Sequence, residues 1–215
     1  MPVNPYDLIA DDWYEPIIED WKEKLDKFGF KDARIMFSGF GSQGDGACFE
    51  ARIVKDWASL VPKNVMDELT TRVVTLKLEG EPESRWNWWW PVEDWDFGGN
   101  LKHSGHYCHE NSVNLEMDDN ALDNMPDDLT ALWKWWNELK DDIRSEAKRL
   151  SREIYSELED AYWKEYEWAE EEAKRLEKEE EDDADAQESG ESDDGACVGP
   201  AVLREPRHEL EGCRV

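Results

Sequence analysis

Between residues 129 and 161, apolar side chains recur at steps of three and four, which is the repeat of one face of an α-helix. The members of this stripe are Leu129, Leu132, Trp136, Leu139, Ile143, Ala147, Leu150, Ile154, Leu158 and Ala161. Pro126 suits the first turn of a helix, so we predict a long amphipathic helix over residues 126–178 that packs on the preceding domain. At ~1.5 Å per residue this helix would be about 75 Å long, longer than a domain of this size is wide. It therefore either breaks, near Ser145 or Ser151, or projects beyond residue 164 and pairs with a partner.

The first 125 residues contain shorter segments, some with the 3.6-residue period of a helix and some with the two-residue period of a strand. This mixture is typical of an α+β domain. Gly29 is expected to end the first helix, and a glycine-rich stretch between the first two strands predicts a β-hairpin. Helices flanking a run of strands predict a small antiparallel sheet packed with helices on one face. The expected helices cover 14–28 and 56–69, and the expected strands cover 33–40, 47–54, 72–79 and 106–116.

The charge of the chain is strongly negative. Its 215 residues carry 25 basic and 54 acidic side chains, a formal net charge of −29. Residues 179–194 hold ten acidic side chains and no Lys or Arg, a composition that cannot bury enough apolar surface to order itself. We therefore divide the chain into an α+β domain at 1–125, the long helix at 126–178 and a disordered acidic tail at 179–215.

This charge and the cysteine pattern exclude several classes of protein. Free nucleic acid and anionic membranes repel so acidic a chain, so direct binding to either is not expected. No stretch reaches the roughly 18 uncharged apolar residues of a membrane span, and the N-terminus does not resemble a signal peptide. Four cysteines lie far apart without a CxxC pair, which favours reduced thiols. We expect a cytoplasmic protein without a cofactor.

The loop of the predicted hairpin has the composition of a backbone anion-binding site, because successive glycines expose N–H groups. It has no Lys after the glycines and no helix directly after it, so it is neither a Walker loop nor a dinucleotide-binding loop. A tight turn with a G-type bulge is the structural alternative. The candidate binding residues in this loop are Ser42, Gln43, Gly44, Asp45 and Gly46.

Three of the four histidines fall between residues 103 and 109. If this segment is a strand, alternate residues from His106 to Glu110 share one face and His109 lies on the other. The weak candidates for metal ligands are His106, Cys108 and Glu110, and the candidates for acid–base catalysis are Asp45, His106, His109 and Glu110. A tetrahedral metal site would need further ligands from the hairpin, such as Asp45 or Cys48. Hydrogen-bonded strand histidines are the alternative.

Tryptophan is concentrated in the segment RWNWWWPVEDWDF, residues 85–97. Single-strand nucleic-acid sites combine such aromatic platforms with positive charge, but the charged neighbours here are mostly acidic. Trp88, Trp89 and Trp90 are therefore candidate anchors of a protein interface. Aromatic packing of this segment beneath Trp133 and Trp136 is the alternative.

Two motifs in the chain carry a family resemblance. FSGFGSQGDGACF (Phe37–Phe49) and, further along, SGHYCHENSVNLEM (Ser104–Met117) resemble an uncharacterised family of bacteriophage and prophage proteins with an SGFxSQGDGAxF motif and a later YxHE-type strand. The resemblance covers roughly residues 10–150. It implies a phage-encoded protein in the host bacterial cytoplasm and implies no activity. Cys48 and Cys108 stand where the family pattern leads us to expect Ser-like residues, and His106 where it leads us to expect Arg.

Charge and resemblance together favour a binding protein over an enzyme. We expect an acidic phage protein that engages a host protein with a basic surface and inhibits or modulates it, as a mimic of nucleic-acid charge. Self-association through the long helix is a further option, and simple solubility of a highly charged surface is the plainer interpretation of the charge. The alternative function is a metal-dependent or acid–base hydrolase. Its site would join the Ser42–Ala47 loop to the His106–Glu110 strand.

Overall fold

A computed structural model describes residues 2–42, 44–54, 57–85, 98–118, 122 and 125–190. The helices are α1 (Glu15–Lys27), α2 (Trp57–Leu60), α3 (Lys63–Leu78) and α4 (Thr130–Gly190), and the strands are β1 (Phe30–Phe37), β2 (Ala47–Ile53), β3 (Gly99–His103) and β4 (Val113–Met117). Short 3₁₀ turns cover Pro5–Asp7 and Glu83–Arg85. Among the described residues, we find no helix with the length and apolar character needed to span a bilayer.

The four strands form one antiparallel sheet in the order β1-β2-β3-β4, which confirms the predicted α+β class. The β1–β2 hairpin was expected, although β1 starts at Phe30 and not at residue 33. Gly29 ends α1 with a φ of 87°, a value that favours glycine, as its position predicts. The pairing of β1 with β2 shifts register between Lys31 and Arg34, and Asp32 there has a φ of 56°.

Helices cover one face of this sheet. Phe49, Ala51 and Ile53 alternate along β2 and belong to the buried core, whereas Arg52 and Lys102 lie exposed on the opposite face. The helix α1 packs on β1, and α4 lies against β2 and β4 with α3 at its side. The apolar stripe between residues 129 and 161 supplies much of this core. This confirms the prediction that the stripe is one face of a helix packed on the domain.

The long helix α4 is unbroken from Thr130 to Gly190. Neither serine interrupts it, and Ser151 is buried inside the helix with 1% of its surface exposed. The helix also continues past residue 178, where the acidic tail was expected to begin. The remaining part of the predicted tail, residues 191–215, lies outside the described residues.

The start of α4 differs from the prediction because a carboxylate from another helix caps it. Leu129 closes a turn back to Pro126 through a backbone hydrogen bond of 3.3 Å, so the first free amides belong to the residues after Thr130. Ala131 and Leu132 donate their backbone N–H groups to the two carboxylate oxygens of Glu68, at 3.1 and 3.0 Å. A carboxylate at this end of a helix satisfies unpaired donors and opposes the positive end of the dipole.

Two predicted strands are wrong in whole or in part. Residues 72–78 belong to α3 and Glu79 caps its end, because Val65, Leu69, Val73 and Leu76 are buried at helical spacing. The last strand begins at Val113 and not at residue 106. Residues 104–112 form a loop between β3 and β4, where Gly105 has a φ of 125° and Ser112 turns back to His109. The preceding strand β3 was not predicted.

The sequence suggested that the distal part of α4 projects from the domain. In the structure this part is instead covered on one face by the N-terminal segment. The N-terminal segment runs along it: the backbone N–H of Val3 donates to Glu177 at 3.0 Å, and the rings of Tyr6 and Tyr166 lie 5.1 Å apart. Ala169 and Ala173 of the helix are buried. Small side chains on one face of α4 thus allow the N-terminal segment to approach closely.

Candidate functional site

The glycine-rich loop (residues 38–46) is a tight turn organised by Asp45. The Asp45 carboxylate accepts the backbone N–H of Ser42 at 2.6 Å, and the backbone N–H of Asp45 donates to the Ser42 carbonyl at 3.2 Å. The first of these bonds lowers the pKa of the Asp45 carboxyl below its ordinary value. Gly41 and Gly44 have φ values of 132° and 109°, which L side chains rarely adopt. The carboxylate of Asp45 thus has a local structural role, and Gln43 lies outside the described residues.

This loop meets the histidine loop (residues 104–112), so the two sequence motifs are neighbours in space. A Cβ atom on Gly46 would lie 2.8 Å from the carbonyl oxygen of Cys108 and 3.2 Å from the Cα of His109. Ser38 supports the same contact: its hydroxyl accepts the N–H of Gly46 at 3.1 Å and lies 3.5 Å from the Cys108 carbonyl. The glycine at position 46 therefore has a steric role, which is to let the two loops approach.

The predicted catalytic residues of the histidine loop sit in different environments. His106 is exposed, whereas His109 and Glu110 are partly buried. The Nε2 atom of His109 lies 3.0 Å from the Glu110 carboxylate, and the same carboxylate accepts from Arg152 of α4 at 3.2 Å. The side chain of Glu110 is 16% exposed. Glu110 therefore joins the loop to α4, and the strand face that sequence would assign to residues 106–110 does not exist.

A cluster of three possible ligands lies beneath the histidine loop. The sulfur atoms of Cys48 and Cys108 and a ring nitrogen of His103 lie within 4.8 Å of one another. Cys48 is fully buried on β2, and burial raises the pKa of its thiol to about 12. The hydroxyl of Ser112 and the backbone N–H of His109 oppose this shift through hydrogen bonds that favour the thiolate.

Sequence reasoning named Cys108 as a candidate ligand, with Cys48 or Asp45 as an added one, but it joined them to His106 and Glu110 and did not include His103, the histidine found in this cluster. His103 lies in the cluster because it ends β3, next to the strand that carries Cys48. Because residues 104–112 form the loop of the β3–β4 hairpin, this loop turns back over His103. The signal that could have identified this arrangement was Gly105, which marks the turn between two short strands.

An aromatic cluster fixes the other side of the glycine-rich loop. The Phe40 ring stacks on Tyr155 and Tyr162 of α4 with ring centroids 5.5 and 4.9 Å apart, and it contacts Trp13 at 5.9 Å. The Tyr155 hydroxyl donates to the Gly39 carbonyl at 3.4 Å. Both loops are thus anchored to α4. The candidate anchors Trp88, Trp89 and Trp90 lie outside the described residues.

The charge along α4 changes sign near its middle. Residues 130–152 carry six basic and four acidic side chains, a net charge of +2, and residues 153–190 carry four basic and 17 acidic side chains, a net charge of −13. Exposed carboxylates at Asp160, Glu167 and Glu171 share one face of this distal segment (residues 153–190). Acidity is therefore concentrated in the C-terminal part of the helix, most of it after Leu158, the last residue of α4 in the hydrophobic core.

Together these features define a small α+β protein with two interlocked loops and a long acidic helix. A family model described as a domain of unknown function (DUF8835) matches residues 13–167. The chain belongs to this family, and the matched region runs from α1 through both loops into the distal segment of α4. A search of curated proteins found no match, and neither did a search of solved structures.

Proposed function

We propose that this protein is an acidic binding protein that engages a partner with a basic surface through the distal segment of α4. The observation that carries the proposal is the net charge of −13 over residues 153–190. The segment would be about 57 Å long at ~1.5 Å per residue, which gives about one net negative charge per 4 Å. One strand of a nucleic acid carries a phosphate about every 3.4 Å, so the two charge densities are similar.

The charge alone would fit a surface that only keeps the chain soluble, but apolar anchors accompany it. Trp163 and Trp168 are 43% and 53% exposed. With ~3.6 residues per helical turn, they flank the face that carries Asp160, Glu167 and Glu171 on its two sides. Exposed tryptophans are enriched among the residues that dominate binding energy at protein interfaces. Lys164 interrupts the acidic stripe without reversing its sign.

The N-terminal segment also favours this function because it stiffens the acidic helix. Its contacts with Tyr166 and Glu177 extend the folded part of the molecule along the distal segment. An isolated helix with mixed charges is held only by pairs of ~0.2 to 0.5 kcal/mol each. A braced helix loses less conformational entropy when it binds, so its charges present a preorganised surface.

In its specific form, the proposal is a phage-encoded protein of the host bacterial cytoplasm that inhibits or modulates a host nucleic-acid-binding protein by imitating its ligand. The family resemblance of the two motifs supports the phage origin, and the charge pattern supports the type of partner. Self-association through α4 is less favoured, since two copies of the acidic segment repel each other.

The test compares the wild-type chain with a variant carrying Asp160→Asn, Glu167→Gln and Glu171→Gln. A control variant carries Asp67→Asn, Glu79→Gln and Glu83→Gln, which neutralises three exposed carboxylates outside α4. Each chain is used to capture proteins from bacterial lysate, and bound proteins are challenged with duplex DNA. We expect a captured protein that is released by DNA and by salt, is retained by the control and is bound more weakly by the α4 variant. Equal capture by both variants would contradict the proposal.

A hydrolase is a second candidate, and one observation favours it. The contact of Gly46 with Cys108 brings together the two loops that such a site would need. His109 and Glu110 form a pair that could transfer a proton. The test is hydrolysis of model phosphodiester and ester substrates by wild type and by Glu110→Gln. Activity that falls at least ~100-fold in the variant supports an acid–base role, and absence of activity in the wild type removes this candidate.

A further inference from the structure

Three side chains with metal-binding atoms converge where the histidine loop covers β2. They come from separate parts of the chain, and their ligand atoms lie within 4.8 Å of one another. Two thiolates and one imidazole are a known ligand set of four-coordinate zinc sites that keep one position open. We propose that Cys48, His103 and Cys108 bind a thiophilic divalent cation, Zn²⁺, with the fourth position open to water or to a small ligand.

The geometry requires small movements of side chains only. Bond lengths of about 2.3 Å to sulfur and 2.0 to 2.1 Å to nitrogen place tetrahedral ligand atoms roughly 3.4 to 3.8 Å apart. From a separation of up to 4.8 Å, the three ligand atoms therefore need to close by about 1.0 to 1.4 Å at most. Cys48 is fixed in the sheet and fully buried, whereas His103 and Cys108 are partly exposed at a strand end and in a loop. The two outer ligands can thus admit a cation and close on it.

The hydrogen bonds of His103 suit the role of a ligand. Its Nε2 atom lies 3.1 Å from the carbonyl oxygen of Tyr107. Because a carbonyl oxygen only accepts, Nε2 carries the proton and the lone pair remains on Nδ1. The backbone N–H of His103 donates to Glu50 at 3.1 Å, which holds the strand end. Metal-binding histidines usually donate their other ring N–H to a carbonyl or carboxylate in this way.

Charge balance also favours Zn²⁺ at this place. Two thiolates neutralise the two positive charges of the ion, and the imidazole is neutral, so the occupied site carries no net charge. A buried position tolerates such a site better than an unpaired charge. The close approach of Gly46 to Cys108 holds the histidine loop over β2. Gly46 therefore also keeps Cys108 close to the other two ligands.

The experiment is titration of the reduced, chelator-treated full chain with Co²⁺ and then with Zn²⁺. We expect one Co²⁺ per chain, thiolate-to-cobalt charge-transfer absorption and the visible bands of tetrahedral cobalt, all displaced by Zn²⁺. Zn²⁺ is also expected to raise the Tm, since it binds the folded chain. Cys108→Ser and His103→Ala should each weaken Zn²⁺ affinity by more than ~100-fold, because loss of an outer-shell partner alone costs 10 to 100-fold.

Two controls separate this site from other metal-binding groups. His106→Ala removes an exposed histidine of the same loop that is outside the cluster, and a Cys197→Ser, Cys213→Ser double variant removes the remaining cysteines of the chain. Both are expected to bind Co²⁺ and Zn²⁺ like the wild type. Circular dichroism checks that each variant is folded, and the partly exposed Cys108 and His103 keep the test independent of the buried Cys48.

Three outcomes would overturn the proposal. The first is a folded, reduced chain without charge-transfer absorption or a zinc-dependent Tm. The second is binding that survives Cys108→Ser and His103→Ala but is lost in the Cys197→Ser, Cys213→Ser variant. The third is a stable Cys48–Cys108 disulfide in the purified chain that, once reduced, yields no metal-binding protein.

Discussion

At the scale of single residues, Gly46 is the position where the contact between the two loops depends most directly on the absence of a Cβ atom. In Gly46→Ala, the new Cβ would lie 2.8 Å from the Cys108 carbonyl, a contact with backbone that cannot rotate away. We expect a loss of about 1 to 3 kcal/mol in the free energy of unfolding, the usual cost of overpacking. Urea denaturation followed by tryptophan fluorescence measures it.

A neighbouring glycine is the matched control for this substitution. A Cβ on Gly39 would meet the Asp45 carboxylate at 3.7 Å, an ordinary van der Waals contact. Gly39→Ala should therefore change the free energy of unfolding much less than Gly46→Ala. Equal effects of the two substitutions would show that backbone freedom in the loop, and not the contact with Cys108, decides its stability.

The buried thiol of Cys48 gives a second prediction at this scale. In metal-free Cys197→Ser, Cys213→Ser protein, iodoacetamide at neutral pH should modify Cys108 and leave Cys48 until urea unfolds the chain, because the thiolate is the reactive form. Burial raises the pKa of Cys48 to about 12 from an ordinary value of 9.0. Native protein in which both thiols react at the same rate would contradict the buried position.

The same pKa has a consequence for stability. Because the folded-state pKa is raised, the contribution of Cys48 is fully present below pH ~9 and is lost as pH rises toward ~12, where the unfolded chain releases the proton more readily. Cys48→Ala should lack this part of the alkaline loss. If the free energy of unfolding falls in parallel for wild type and variant between pH 8 and 11, ionisation of Cys48 does not contribute to the alkaline loss of stability.

The sequence could identify most residues of the loop junction but not their partners. Asp45 looked like a catalytic carboxylate because side-chain type alone does not show that its oxygen accepts the Ser42 N–H within the same loop. His103 was not selected because its position next to Cys48 depends on pairing between strands that are far apart in sequence. Long-range placement of this kind is set by the whole sheet.

At the scale of secondary-structure elements, Glu68 links α3 to the start of α4. Glu68→Ala leaves the N–H groups of Ala131 and Leu132 without their carboxylate partner, so we expect a loss of about 1 to 2 kcal/mol in the free energy of unfolding. Asp67→Asn, at the adjacent exposed position, is the control and should be nearly neutral. An equally small effect of Glu68→Ala would show that water replaces the cap without cost.

Two truncations test how α4 and the N-terminal segment depend on each other. Ending the chain after residue 178 keeps the contacts of Tyr6 with Tyr166 and of Val3 with Glu177. Ending it after residue 164 removes them together with the buried Ala169 and Ala173. We expect the shorter chain to stay folded but to lose about 1 to 3 kcal/mol, and the longer one to be unchanged. Hydrogen exchange of residues 3–8 should rise only in the shorter chain.

The elements themselves show where a sequence pattern is reliable. The stripe from Leu129 to Ala161 identified α4 because ten positions repeat the same period. Val73, Val74 and Thr75 of the predicted strand at 72–79 are β-branched, a composition that favours strands. Burial of Val73 and Leu76 against the core then outweighed that weak preference. A short segment contains too few apolar repeats for their period to distinguish a helix from a strand.

At the scale of the whole molecule, the acidic charge and the fold are separate properties. On α4 the hydrophobic core ends at Leu158, and most of the net charge of −13 of the distal segment lies after that residue. Local composition located the acidic region in the chain but not its helical structure, because α4 was expected to end at residue 178 and the acidic region to be disordered. The structure instead carries the acidic side chains onward along an unbroken helix to Gly190.

The central claim is that this helix binds its partner through its negative charge, and the salt dependence of that binding tests it most directly. The affinity of the captured partner is measured across salt concentrations for the wild type, the α4 variant and the control variant described above. The Debye length falls from about 30 Å at 0.01 M salt to about 8 Å at 0.15 M. We predict a steep fall in affinity with salt for wild type and control, and a shallower slope for the α4 variant. Identical slopes for all three chains would contradict the claim.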